Sequence, residues 1–210
     1  MRRLATFGLT AFLALAMSSA AHAALIAQFT GTTPSGSNTS YNYNLVFSTQ
    51  GGDRLEAGNG TIAPGAVGSA DFITLYDVGL NSPSPAGNFV MATAGPGFDL
   101  TLQNAGINAG QTQPLDDPTL TNVTYRYTGP TLITDTVIPG FSIVVNNNDG
   151  TVLRQFTGQF TDNIGPELGT KVSEIGRVAV PAAVSIPEPA SVMMGLMGAL
   201  GLVARRRRSL

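Results

Sequence analysis

Phe141-Ser142-Ile143-Val144-Val145, then Asn146-Asn147-Asn148-Asp149-Gly150, then Thr151-Val152-Leu153-Arg154-Gln155-Phe156 is the stretch on which the fold is read. Two runs of β-branched and aromatic residues flank five residues that favour turns. Asp149-Gly150 supplies the positive-φ positions that tight turns need, so the stretch predicts a β-hairpin. A calcium loop is the other reading of the Asn/Asp cluster. It lacks the alternating acidic spacing and the distal Glu of an EF-hand.

The same grammar continues on both sides. Tyr41, Tyr43, Leu45 and Phe47 fall on one face of an extended run, opposite Asn42, Asn44 and Ser48. Asp71-Phe72-Ile73-Thr74-Leu75-Tyr76 forms another run. Phe98-Asp99-Leu100-Thr101-Leu102 and Val123-Thr124-Tyr125-Arg126-Tyr127-Thr128 alternate. Period-2 alternation places one set of side chains in a core and the other in water. Gly, Thr, Asn, Ser and Pro separate the runs and helix formers are sparse. The expectation is an all-β single domain of nine or ten short strands, folded as an antiparallel β-sandwich of two packed sheets. Asn81 to Gly87 and Ala105 to Pro118 read as loops. No internal repeat is seen.

The ends have a different composition. Arg2-Arg3 precede an apolar stretch from Leu4 to Met17, and Ala21-His22-Ala23 follows. These are the parts of a secretory signal peptide, with cleavage expected after Ala23 from the Ala21/Ala23 pattern. Arg2-Arg3 also permit a twin-arginine reading, but no cofactor motif in the chain calls for export in the folded state. At the other end, Pro187-Glu188-Pro189 precedes an apolar run from Ala190 to Ala204 and the cluster Arg205-Arg206-Arg207-Arg208. As a helix the run reaches roughly 22 Å, short of the ~30 Å of a hydrocarbon core. It reads as one marginal transmembrane helix with the arginines on the cytoplasmic side. Prolines push Ile186 and Glu188 extended, which suits a segment read by a protease and equally a plain helix-start linker.

Motif, span and basic cluster, in this order and at the C-terminus, resemble the PEP-CTERM sorting signal of Gram-negative bacteria. The resemblance covers about the last 25 residues. It implies exosortase, an integral-membrane cysteine protease or transpeptidase, as the partner that cleaves near the motif. It also implies an association with exopolysaccharide and biofilm matrix. The stretches Asn122 to Gly129 and Ile175 to Pro181 resemble the body of some uncharacterised proteins with such a tail, a likeness that carries no activity. The expected organisation is a signal peptide over 1–23, an extracytoplasmic β domain over 24–180, a spacer over 181–186 and a sorting tail over 187–210. The protein would be tethered at the inner membrane before reaching the cell surface or matrix.

Composition narrows the chemistry. The chain has no cysteine, and its single histidine, His22, lies in the expected signal peptide. Ser-His-Asp and Cys-His constellations, His-ligated metals and histidine acid–base catalysis are therefore absent from the mature domain. Carboxylate-only mechanisms and oxygen-ligated calcium stay open. The middle of the chain carries only Arg54, Arg126, Arg154, Lys171 and Arg177 against twelve acidic residues. That balance argues against nucleic-acid binding. Asp116-Asp117-Pro118 is the one adjacent acidic pair and reads as a solvated turn or as help for a cation. Glu56, Asp77 and Asp99 are the candidates for a carboxylate pair. Tyr125 and Tyr127 would have to supply any sugar-stacking platform, although their alternation reads as core. The expected function is non-enzymatic, with no cofactor and no metal. A carbohydrate-binding β-sandwich of the matrix, using loop Asp/Asn and calcium, is the alternative.

Overall fold

The computed structural model describes residues 25–49, 52–58, 67–79, 89–110, 112–146 and 150–182. The signal-cleavage residues Ala21 and Ala23, the motif Pro187-Glu188-Pro189, the apolar run and Arg205 to Arg208 lie outside these residues. Among the described residues no helix is long and apolar enough to cross a membrane.

Among the described residues nine strands form two antiparallel sheets. They are β1 (Leu25–Ser35), β2 (Asn38–Phe47), β3 (Phe72–Leu75), β4 (Phe89–Thr93) and β5 (Phe98–Gln103). Then come β6 (Asn122–Tyr127), β7 (Thr136–Val145), β8 (Thr151–Thr161) and β9 (Lys171–Pro181). The order is β1-β2-β7-β4 in the first sheet and β5-β6-β3-β8-β9 in the second. One 3-10 turn, Gly165–Glu167, joins β8 to β9.

The expected hairpin over Phe141 to Phe156 is corrected by this topology. β7 pairs with β2 and β4, whereas β8 pairs with β3 and β9. The connection carries the chain from one sheet to the other. Gly150 takes the expected positive φ of 87°, whereas the pairing differs from the expectation. Local turn residues reverse a chain, but the partner of each strand is set by which face it buries and against what. The tight hairpin is instead β1–β2, where Ser35 opposes Asn38 and Gly36 has φ 63° as the first of two loop residues. That is the geometry of a type II′ turn. β7 also begins earlier than its apolar run suggests. Pro139-Gly140 sits at a bulge, between the pairs Leu45–Ile138 and Tyr43–Phe141, where a missing N–H is tolerated.

The two sheets face each other across one apolar core. Tyr41, Tyr43, Leu45 and Phe47 of β2 are buried there, as the alternation requires. Phe141 of β7 meets Tyr125 of β6 edge-on at 4.8 Å between centroids and Phe98 of β5 at 5.2 Å. Edge-to-face contacts of this kind lock two sheets in one relative position. Tyr125 and Tyr127 are thus spent on the core and the inner side of the fold. Leu102 departs from the expected alternation. It lies on edge strand β5 and is 45% exposed.

β3 is buried along its whole length because both of its faces are covered. Ile73 and Leu75 enter the core between the sheets. On the opposite side, the described residues between Asn104 and Thr121 lie over the second sheet. Thr74 Oγ1 and the Tyr76 hydroxyl both donate to the Ile107 carbonyl, at 2.8 and 2.9 Å. Ala109 is fully buried. A long loop is held here as a third layer.

Candidate functional site

Two polar clusters stand out, one at each end of β3. The first gathers around Asp71, the residue before the strand. Isolated bridges Arg54–Thr161 and Leu55–Leu132 draw the segment 52–58 across the end of the second sheet. Within that segment the Glu56 N–H donates to Asp71 Oδ2 at 2.7 Å, and the Asp71 N–H donates to the Glu56 carbonyl at 2.8 Å. Lys171, first residue of β9, donates through Nζ to Asp71 Oδ1 at 2.7 Å and to Thr161 Oγ1 at 2.6 Å. Thr161 Oγ1 lies 3.1 and 3.0 Å from the two Asp71 oxygens. Glu56 Oε2 is 4.0 Å from the same ammonium, and its Oε1 is held by Arg54 Nε at 2.5 Å. Asn163 accepts from the other side of Arg54.

Asp71 is fully buried. Burial raises its pKa to about 6; the Lys171 hydrogen bond and charge, the Glu56 N–H and Thr161 pull the other way and do not cancel it. Beside this cluster opens a cleft of about 400 Å³, lined in part by Glu56, Gly58, Ser69, Gly129, Thr131 and Lys171. Glu56 and Lys171 bring opposite charges to it, and Ser69 and Thr131 add hydroxyls among glycines, Ala57 and Pro130. It suits a polar occupant, and among the described residues no aromatic side chain lines it for a sugar ring to stack on.

The second cluster locks the covering segment in place. Asp77 has φ 56°, the one positive value at a non-glycine among the described residues. Its N–H donates to Asn122 Oδ1 at 2.8 Å, and its Oδ1 accepts from the Asp117 N–H at 2.9 Å. Asn122 Nδ2 donates in turn to the Asn104 carbonyl at 3.0 Å and to Asp116 Oδ1 at 2.8 Å. Asp116 Oδ2 accepts from the Gly106 N–H. Burial raises the Asp77 pKa, against the Asp117 N–H and Arg154, whose guanidinium stands 3.4 Å away. The residue thus sits in a strained backbone conformation because three neighbours fix it.

The acidic pair Asp116-Asp117 is therefore divided. Asp116 ties the loop to Asn122 and Gly106, and Asp117 closes its own turn on Thr119. Among the described residues no group of three or more His, Cys, Asp and Glu is placed to hold a metal ion. Of the three candidate carboxylates none meets another. Asp99 pairs with Arg126 on the exposed edge, Asp77 with Arg154, and Glu56 with Arg54. Glu56 is instead brought to Asp71, a residue the sequence reading treated only as part of a strand. The signal was present: a carboxylate heading an otherwise buried run must find a cation or a proton. What no local pattern reveals is that Lys171, 100 residues away, supplies it.

The chain as a class is a two-sheet antiparallel β domain with its last described strand running toward the C-terminus. Residues 185–208 match the family model of the PEP-CTERM protein-sorting motif. The chain therefore carries a PEP-CTERM protein-sorting motif, which supports exosortase-dependent sorting of an exported protein, with membrane anchoring before surface display. No curated protein matches the chain.

Proposed function

We propose that this is a non-enzymatic surface or matrix protein, delivered through its tail and associated with exopolysaccharide and biofilm. The observation that carries the reading is the sorting motif at 185–208, a few residues beyond the end of β9 at Pro181. The signal peptide over 1–23 starts export. The apolar run 190–204 then halts it, with Arg205 to Arg208 inside and the β domain outside. Exosortase cuts near Pro187-Glu188-Pro189 and the domain leaves the inner membrane. The absence of cysteine from the chain, and of histidine beyond His22, supports a binding or structural role over catalysis. So does the separation of Glu56, Asp77 and Asp99 into three different ion pairs.

The test is mass spectrometry of the protein released at the cell surface. A C-terminal peptide ending before Arg205 is expected. A released protein that retains Arg205 to Arg208 would show a permanent anchor and overturn the reading. A second reading is a carbohydrate-binding module of the matrix, which at the cleft beside Lys171 would rely on hydrogen bonds to Glu56, Ser69, Thr131 and Lys171 rather than on ring stacking. A polysaccharide array probed with the secreted protein, with and without calcium, tests it; no retained glycan would dismiss it.

A further inference from the structure

Lys171 is the only lysine in the chain, and it is placed against a fully buried carboxylate. An exported chain without cysteine has no disulfide available as a staple. We propose that Lys171 and Asp71 become joined by an amide bond between Nζ and Cγ, formed by the protein itself, with Glu56 as the proton carrier.

The geometry holds each part of the reaction. Nζ lies 2.7 Å from Asp71 Oδ1, so the nucleophile is already beside the carbon it must attack. Glu56 Oε2 stands 4.0 Å from Nζ, and Arg54 fixes its other oxygen. It is placed to take a proton from the ammonium and free the nitrogen lone pair. Attack on Cγ puts negative charge on Oδ2, which already accepts from the Glu56 N–H at 2.7 Å. A backbone donor preset where charge develops stabilises such an intermediate. Collapse then breaks the Cγ–Oδ1 bond. Starting from the ion pair, Glu56 relays one ammonium proton to Asp71 Oδ1, giving the amine and the uncharged carboxyl; a second leaves the nitrogen after the attack, both depart with Oδ1 as water, and the third stays on the amide nitrogen. Nothing is oxidised or reduced and no other reactant enters. Burial of Asp71 favours the uncharged carboxyl that the attack needs and keeps water from the finished bond.

The product would link the start of β9 to the head of β3, which lie on opposite sides of β8. β9 is the strand that leads to the sorting tail. Tension from that tail would peel β9 from β8, and a covalent tie at Lys171 would stop the peel at its far end.

Peptide mapping of the full chain, exported by its own signal and denatured before trypsin digestion, tests the proposal. The tie should give one branched species joining 55–126 to 155–177, one water lighter than the two linear peptides together, with no cleavage after Lys171. Lys171→Arg keeps the cation but cannot form the bond, and should give linear peptides and a lower melting temperature. Glu56→Gln should leave most chains unlinked. Wild-type protein that yields 155–171 as a free peptide and no branched species would overturn the bond. A Glu56→Gln chain that links as fully as wild type would overturn the role of Glu56.

Discussion

The Tyr41 hydroxyl on β2 donates to the Gly150 carbonyl at 2.9 Å, across 109 residues of sequence. It fastens the first sheet to the turn through which the chain passes into the second. The Ala182 N–H donates to the same carbonyl at 3.1 Å, so the turn is held from both sheets. These two bonds, rather than a hairpin ladder, hold Gly150 at the entry to β8.

Tyr41→Phe should therefore cost about 1 kcal/mol, the net worth of one hydrogen bond. Tyr125→Phe should behave differently. Its hydroxyl is buried with no partner among the described residues, and burial raises its pKa. Removing it should be neutral or stabilising by about 1 kcal/mol, since an unpaired buried hydroxyl opposes folding. Urea denaturation of both variants decides; equal destabilisation would place a bridging water on Tyr125.

Asn122 is 1% exposed and serves three partners, Asp77, Asn104 and Asp116. Asn122→Ala should cost about 2–3 kcal/mol because it leaves several polar groups unpaired at once. It should also raise amide exchange in 104–117 well above that in β3. Uniform exchange changes across both segments would show that the covering layer and the sheet open together.

Gly158 of β8 has no room for a side chain. A Cβ there would come within 2.9 Å of the Leu25 carbonyl oxygen on β1, a backbone atom that cannot move aside. Gly158→Ala should destabilise by about 1–3 kcal/mol, the usual cost of overpacking. Gly36→Ala, at an open turn with φ 63°, carries backbone strain alone and should cost about 1 kcal/mol. A larger loss at Gly36 than at Gly158 in thermal melts would contradict the close approach of β1 to β8.

In the unlinked Glu56→Gln chain, Asp71 should set a slope of stability with pH. Its folded pKa of about 6 lies above the ordinary 3.8. Between these values the folded state keeps a proton that the unfolded state has released. Stability should thus be highest below about pH 4, fall by about 3 kcal/mol as the pH rises to about 6, and then level off. Asp71→Asn in the same background should flatten that interval. A slope that persists would assign the titration to another carboxyl, with Asp77 and Glu174, both raised by burial, next in line.

The sequence by itself determined the all-β class, the inward face of β2 and the sorting motif. Each is a local property: alternation with period two, turn residues at fixed offsets, or an apolar run between prolines and arginines. Tyr41, Tyr43, Leu45 and Phe47 needed only their spacing to be placed in the core. Which strand lies beside which was decided by the tertiary structure alone. Asp149-Gly150 states that the chain turns, and it carries no information on whether β8 returns to β7 or crosses to β3. That choice rests on burying Phe141 against Tyr125 and Phe98 from the opposite sheet. The meeting of Asp71, Glu56 and Lys171 has the same origin. Three charges from three distant segments converge because Thr161 pairs with Lys171 on one side and with Arg54 on the other.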